Sequence, residues 1–158
     1  MKYLKDILEK GIRLEGGTDA GGVYQLEGRV YKIQPKDIID LDFAIPLLNK
    51  VKGSTNSHVV NIFDYWLEDD QLVIEMESLT PITLPSISMY DLDTIYMDSE
   101  DTLKGLETAL TVIKDSFLVD IFTQVYKGML ELGVDRYDIN LDNALYDNKG
   151  NVKIIDFL

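Results

Sequence analysis

The sequence predicts an α+β fold of two lobes, a small antiparallel-sheet lobe over residues 1–77 and a mostly helical lobe over residues 78–158. Three observations predict it. Two strand-turn-strand patterns fill the first half, residues 23–26 with 29–33 about the pair Glu27-Gly28, and residues 59–66 with 72–76 about Glu68-Asp69-Asp70. In the second half Phe117, Leu118, Ile121, Phe122, Val125, Met129 and Leu130 recur at helical spacing up to Gly133. The apolar fraction of 46% over 158 residues is enough to build a core of ordinary domain size.

In chain order, Tyr3, Leu4, Ile7 and Leu8 have helical spacing and Gly11 ends the run, so a short helix opens the chain. A glycine-rich loop, Gly16-Gly17-Thr18-Asp19-Ala20-Gly21-Gly22, leads into the first hairpin, which Pro35 closes. Residues 37–52 read as one helix disturbed at Pro46, because proline cannot donate into a helical ladder. Residues 53–57 are loop by composition. Between residues 79 and 101, Pro81, Pro85 and many hydroxyls predict irregular structure with short helices around Tyr90. After the long helix come two short strands, residues 144–146 and 152–155, joined by the turn Asp147-Asn148-Lys149-Gly150.

Composition removes several functional classes. With 28 acidic against 15 basic residues the net charge is −13, which repels nucleic acid and anionic lipid. No cysteine is present, and His58 is the single histidine, so disulfide frameworks, thiolate sites and multi-histidine metal sites are excluded. No run of 18 uncharged apolar residues occurs, so no membrane partner is expected. Lack of cysteine fits a reducing compartment, and a cytoplasmic location is the expectation.

Chemistry concentrates near the C-terminus. Asp138-Ile139-Asn140-Leu141-Asp142-Asn143 follows the long helix, and a tight hairpin then delivers Asp156-Phe157. An aspartate placed for an incoming hydroxyl, with an asparagine and a second aspartate placed for a cation on phosphates, needs a rigid hairpin between them. The start Asp138-x-Asn140-x-Asp142 also imitates a calcium loop, but that loop needs glycine at its sixth place and glutamate at its twelfth, where Asn143 and Lys149 stand.

This order and spacing resemble the catalytic loop and metal-binding Asp-Phe-Gly of the protein kinases. Gly16-x-Thr18-x-x-Gly21-x-Val23 resembles the kinase loop that covers nucleotide phosphates, with threonine at the middle glycine. Lys32 matches the lysine of the third strand that contacts the α- and β-phosphates. Residues 72–77 resemble the strand leading to the hinge, with Ile74 at the gatekeeper place and the backbones of Glu75 and Glu77 offered to the adenine edge.

The resemblance implies ATP and magnesium as ligands. Asp138 and Lys32 would be catalytic, and Asn143 and Asp156 would hold the metal. Gly16, Gly17, Thr18, Gly21, Gly22 and Val23 would line the nucleotide. The implied function is transfer of the γ-phosphate to a hydroxyl, of a protein substrate; the alternative is a pseudokinase that regulates by binding nucleotide or a protein partner. Three departures accompany the likeness. Arg136-Tyr137 stands where the family has His-Arg, and Leu158 follows Asp156-Phe157 where it has glycine. No glutamate lies between residues 37 and 52, leaving Asp40 and Asp42 as the acids placed to reach Lys32. With nothing after Leu158 to cover the helix of residues 117–130, a homodimer or host protein is expected over that face.

Overall fold

The computed structural model describes residues 2–14 and 21–158, and the chain divides into two units. The first lies within residues 1–55 and 60–78, with residue 158; the second takes residues 56–59 and 79–157. Helices and antiparallel sheets make the chain α+β.

The first unit is a five-stranded antiparallel sheet with a helix from each side of the strand order in sequence. Its elements are α1 (Leu4–Lys10), β1 (Ile12–Arg13), β2 (Gly22–Leu26), β3 (Arg29–Pro35), α2 (Leu41–Val51), β4 (Ile62–Glu68) and β5 (Gln71–Glu77), in spatial order β1-β2-β3-β5-β4. Two-residue turns join β2 to β3 and β4 to β5. Glu27 and Gly28, and Asp69 and Asp70, all have positive φ, the conformation whose twist matches the flanking strands. Strand alternation then sorts the faces. Tyr31, Ile33 and Val73 bury against Leu4 and Ile7 of α1, with Tyr24, Leu26 and Trp66 packed around them.

The helix expected over residues 37–52 is shorter and starts later. A 3-10 turn, Lys36–Ile38, precedes an extended Ile39, and Asp40 caps α2 by accepting from the Asp42 N–H at 3.1 Å. Pro46 lies inside α2 without ending it. The carbonyl deprived of its donor belongs to Asp42, an exposed residue. The strand expected from residue 59 begins at Ile62, because Val59 instead bridges Ile154 in the second unit. The two-residue strand β1 has too little alternation to be read from sequence.

The second unit holds β6 (Thr80–Pro81), α3 (Met89–Asp98), α4 (Leu103–Leu110), α5 (Ser116–Leu132), β7 (Ala144–Tyr146) and β8 (Val152–Ile154), the strands forming the sheet β6-β7-β8. Asp115 caps α5 by accepting from the N–H groups of Phe117 and Leu118. Gly133, at φ 76°, ends it, with the Gly133 and Val134 N–H groups donating back to Leu130 and Met129. α4 packs against α3 and α5, and β8 crosses α5. Gly128 permits that crossing: a Cβ there would lie 2.4 Å from the His58 carbonyl oxygen.

The face of α5 expected to need an external cover is covered within this unit. Leu118, Ile121, Phe122, Val125 and Met129 are buried, and Phe122 meets Tyr96 edge-on with ring centroids 6.2 Å apart. The segment of residues 79–101, expected to be irregular with short helices around Tyr90, forms α3, which contributes Leu92 and Ile95 to the core. Leu130, 53% exposed, is the stripe's outward member. Among the described residues no helix is long and apolar enough to cross a membrane.

Candidate functional site

In the first unit, strand register aligns three of the expected nucleotide residues. Val23 of β2 pairs with Lys32 of β3, and Lys32 pairs with Ile74 of β5. Directly paired residues project to one face, so these three side chains form a row across the sheet. The row lies opposite the α1 face, since Lys32 alternates with Tyr31 and Ile33. Tyr65 of β4 pairs with Ile74 and extends the row, and its hydroxyl reaches Asn49 of α2.

The other expected residues of this unit stand differently. Gly16, Gly17 and Thr18 lie outside the described residues. Gly21 abuts β3 so closely that a Cβ would sit 1.8 Å from the Ile33 carbonyl oxygen, a packing reason for glycine independent of any ligand. Gly22 has φ +92°, which favours glycine as well. Glu75 belongs to a strand paired on both sides, and the Glu77 N–H donates to the Asn61 carbonyl at 3.1 Å, so these peptide groups are engaged within the protein. The side chain of Glu75 turns to the α1 face, where it accepts from Arg29 at 2.8 Å. There it borders a cavity of about 430 Å³ with Tyr31 and Trp66. Burial, reinforced by Glu75, pushes the Tyr31 phenol up to about 12. Asp40, one of two acids considered for Lys32, spends its carboxylate on the α2 cap.

In the second unit the residues of the loop 138–143 form a connected group. Asn143 is buried at 7% exposure, and its Nδ2 donates to the carbonyl oxygen of Asp138 at 2.9 Å and to its carboxylate at 3.1 Å. Both donor bonds of the amide thus point to Asp138, which fixes its orientation and turns Oδ1 the other way. Asn140 braces the turn between them, its side chain accepting from the Asp142 N–H at 2.8 Å. Asp138 itself is exposed.

The loop is tied to the end of the hairpin. The Ile155 N–H donates to the Asn143 carbonyl at 2.9 Å, which places Asp156 one residue beyond a direct bond to the loop. Asp156 has φ 59°, in the left-handed region where non-glycine residues are uncommon and aspartate is among those tolerated. That conformation re-aims the chain just where the carboxylate is presented.

Tyr137 is the residue that the sequence alone does not reveal as part of this group. Its side chain is buried, and its hydroxyl contacts the carbonyl oxygens of Asn143 and Ile155 while accepting from the Ile155 N–H at 3.1 Å. Burial, with Asp156 and Asp138 nearby, raises the phenol well above its usual range despite the backbone bond from Ile155. It is therefore a neutral donor at physiological pH. Below the loop, burial disfavours the charge on Asp147, but N–H groups of Asn151 and Lys149 and the Asn151 amide outweigh it. With Lys153 they hold the carboxyl below its ordinary range.

The donor set suits a hard cation. Asn143 Oδ1 and the Asp156 carboxylate are oxygen ligands of the kind magnesium takes alongside water and phosphate oxygens. Among the described residues no group of three or more histidine, aspartate or glutamate side chains is placed to hold a metal alone. A cation held here would need oxygens from a second ligand.

No protein-family model matches the sequence. The chain is similar to mitogen-activated protein kinase kinase 2 of Arabidopsis thaliana, 36% identical over 97 residues that amount to 55% of this chain and 26% of the relative. It thus spans about a quarter of that relative's length. The likeness is a distant and partial one to a protein kinase.

Proposed function

We propose that this chain is a protein-kinase-like phosphotransferase that binds ATP with magnesium and transfers the γ-phosphate to a hydroxyl of a protein acceptor. The observation that carries the reading is the group Asp138, Asn143 and Asp156, in which the Asn143 amide holds Asp138 and the Asn143 carbonyl holds Ile155. The partial likeness to a plant kinase supports the same reading.

In this reading Asp138 accepts the proton of the acceptor hydroxyl as its oxygen bonds to the γ-phosphorus and the bond to the ADP oxygen breaks. The Asn143 Nδ2 bond keeps that carboxylate from rotating away. Asn143 Oδ1 and Asp156 would hold magnesium, which when bound neutralises phosphate charge. Lys32, set between Val23 and Ile74, would steady the phosphates.

Titration calorimetry with Mg-ATP tests binding, and labelled ATP with an Asp138→Asn control tests transfer. Asp156→Asn is expected to remove the magnesium-dependent part of binding, and Lys32→Ala to weaken binding or turnover without unfolding the chain. A flat titration and no thermal shift at millimolar Mg-ATP would sink the reading. A second reading, a kinase-like module that regulates by binding a protein partner, draws on the engagement of the Glu75 and Glu77 peptide groups inside the sheet, which withdraws them from an adenine edge. Absence of both Mg-ATP binding and labelled product would favour it.

A further inference from the structure

The hydroxyl of Tyr137 occupies a junction of three chain segments. Its residue immediately precedes Asp138, it contacts the carbonyl of Asn143, and it accepts from the N–H and contacts the carbonyl of Ile155, the neighbour of Asp156. A hydroxyl has one proton and two acceptor sites. One proton shared between two carbonyls and one N–H received commit the proton and one acceptor site to the protein's own backbone. The side chain is 5% exposed, so it reaches no ligand and no solvent. The Ile155 N–H in turn is shared between this hydroxyl and the Asn143 carbonyl.

We propose that Tyr137 is the positioning residue of the cation site: its hydroxyl fixes the Asn143 end of the loop against the Ile155 end of the hairpin, so that Asn143 and Asp156 present their oxygens together. The inference rests on the reading of those two residues as magnesium ligands. Several features of the junction give the hydroxyl this role. Asn143 is tied to Asp138 through its side chain, its main chain continues the β7–β8 pairing to Ile155, and the hydroxyl adds a contact to both segments just beyond the last ladder pair, Ala144 with Ile154. Asp156 has the left-handed backbone conformation, which persists only where the surroundings over-determine it. The Ile155 peptide, held at its N–H by the loop and the hydroxyl, supplies that constraint immediately before it. Because the anchor is a neutral buried group one residue from Asp138, the arrangement needs no added charge to order it.

Tyr137→Phe removes the oxygen and keeps the ring. In the full chain, the variant is expected to keep a cooperative melt, to bind Mg-ATP about tenfold more weakly, and to need correspondingly more magnesium for half-saturation at fixed ATP. Binding of ATP in EDTA is expected to be unchanged. A merely structural tyrosine would lower the melting temperature but leave the magnesium dependence of the folded protein as it is, and that result would overturn the proposal. Amide exchange at Ile155 gives a second readout, measured below the melting transition: faster exchange at Ile155 with unchanged exchange along α5 is expected, and unchanged exchange at Ile155 would also overturn it. The wild type separates the two levels of inference. If it binds Mg-ATP and Tyr137→Phe is indistinguishable from it, only the positioning role falls. If the wild type itself shows no magnesium-dependent binding, the functional reading falls and the positioning role with it.

Discussion

In the sheet unit Val23, Lys32 and Ile74 stand side by side because ladder pairing fixes the register of β2, β3 and β5. In the helical unit the β7–β8 ladder brings Asn143 and Ile155 together, and an amide and a buried hydroxyl tie Asp138 and Tyr137 to them. The first arrangement is redundant. Each residue of the row is held by pairing along whole strands, and changing one side chain leaves the backbone register in place. The second adds to a short ladder a few hydrogen bonds from single side chains, so single atoms matter more there. The difference teaches where to look for sensitivity: packing changes reveal how each unit is supported, and polar changes reveal how the loop is held.

The largest expected effect lies under the loop, in α5. Phe122→Ala should cost about 3–5 kcal/mol in denaturant unfolding, since the ring is fully buried and packs against Tyr96. Leu130→Ala on the same helix should cost less than about 0.5 kcal/mol, because that side chain faces outward. Equal losses at the two positions would break the conclusion that this unit closes its own core. A melting temperature that rises with protein concentration would point to a further cover over the outward face.

A smaller loss is expected in the sheet unit at Gly21. A methyl group there meets the Ile33 carbonyl at 1.8 Å, so Gly21→Ala must push β3 or the loop aside, at a cost of about 1–3 kcal/mol. Urea midpoints of variant and wild type measure it. An undiminished midpoint would show that the chain entering β2 is looser than register implies, and would weaken the contrast between a redundant sheet and a concentrated loop.

The smallest effect concerns Asp147 in the turn between β7 and β8, where Asp147→Asn should lose about 1 kcal/mol at neutral pH. The folded protein holds this carboxyl below its ordinary range. Its contribution is therefore fully present above the unfolded value of roughly 4 and is lost as pH falls through the lower folded value. The stability gap between wild type and variant should accordingly close on acidification. A gap that stays constant with pH would mean the carboxylate charge contributes nothing and the hydrogen bonds alone support the turn.

What the sequence by itself determined were the elements whose signal is local. Alternation and the Glu27-Gly28 and Asp69-Asp70 turns marked both hairpins, helical spacing and Gly133 marked α5, and the Asp138, Asn143 and Asp156 spacing marked the loop and hairpin that bear them. Tertiary structure decided which groups those elements spend on each other. Asp40 looks like a partner for Lys32 in sequence but caps α2, and Gly21 looks like a phosphate-loop glycine but also clears the Ile33 carbonyl. The segment of residues 79–101, poor in pattern, becomes the cover of α5 through Leu92 and Ile95. Tyr137 stands in sequence as a departure from a familiar motif, and becomes the junction only because Ile155, far along the chain, returns to meet it. Periodicity records which face of an element is buried, through the residues of that element alone. A hydrogen bond between distant segments depends on where two backbones end up, and residue type at either end leaves that open.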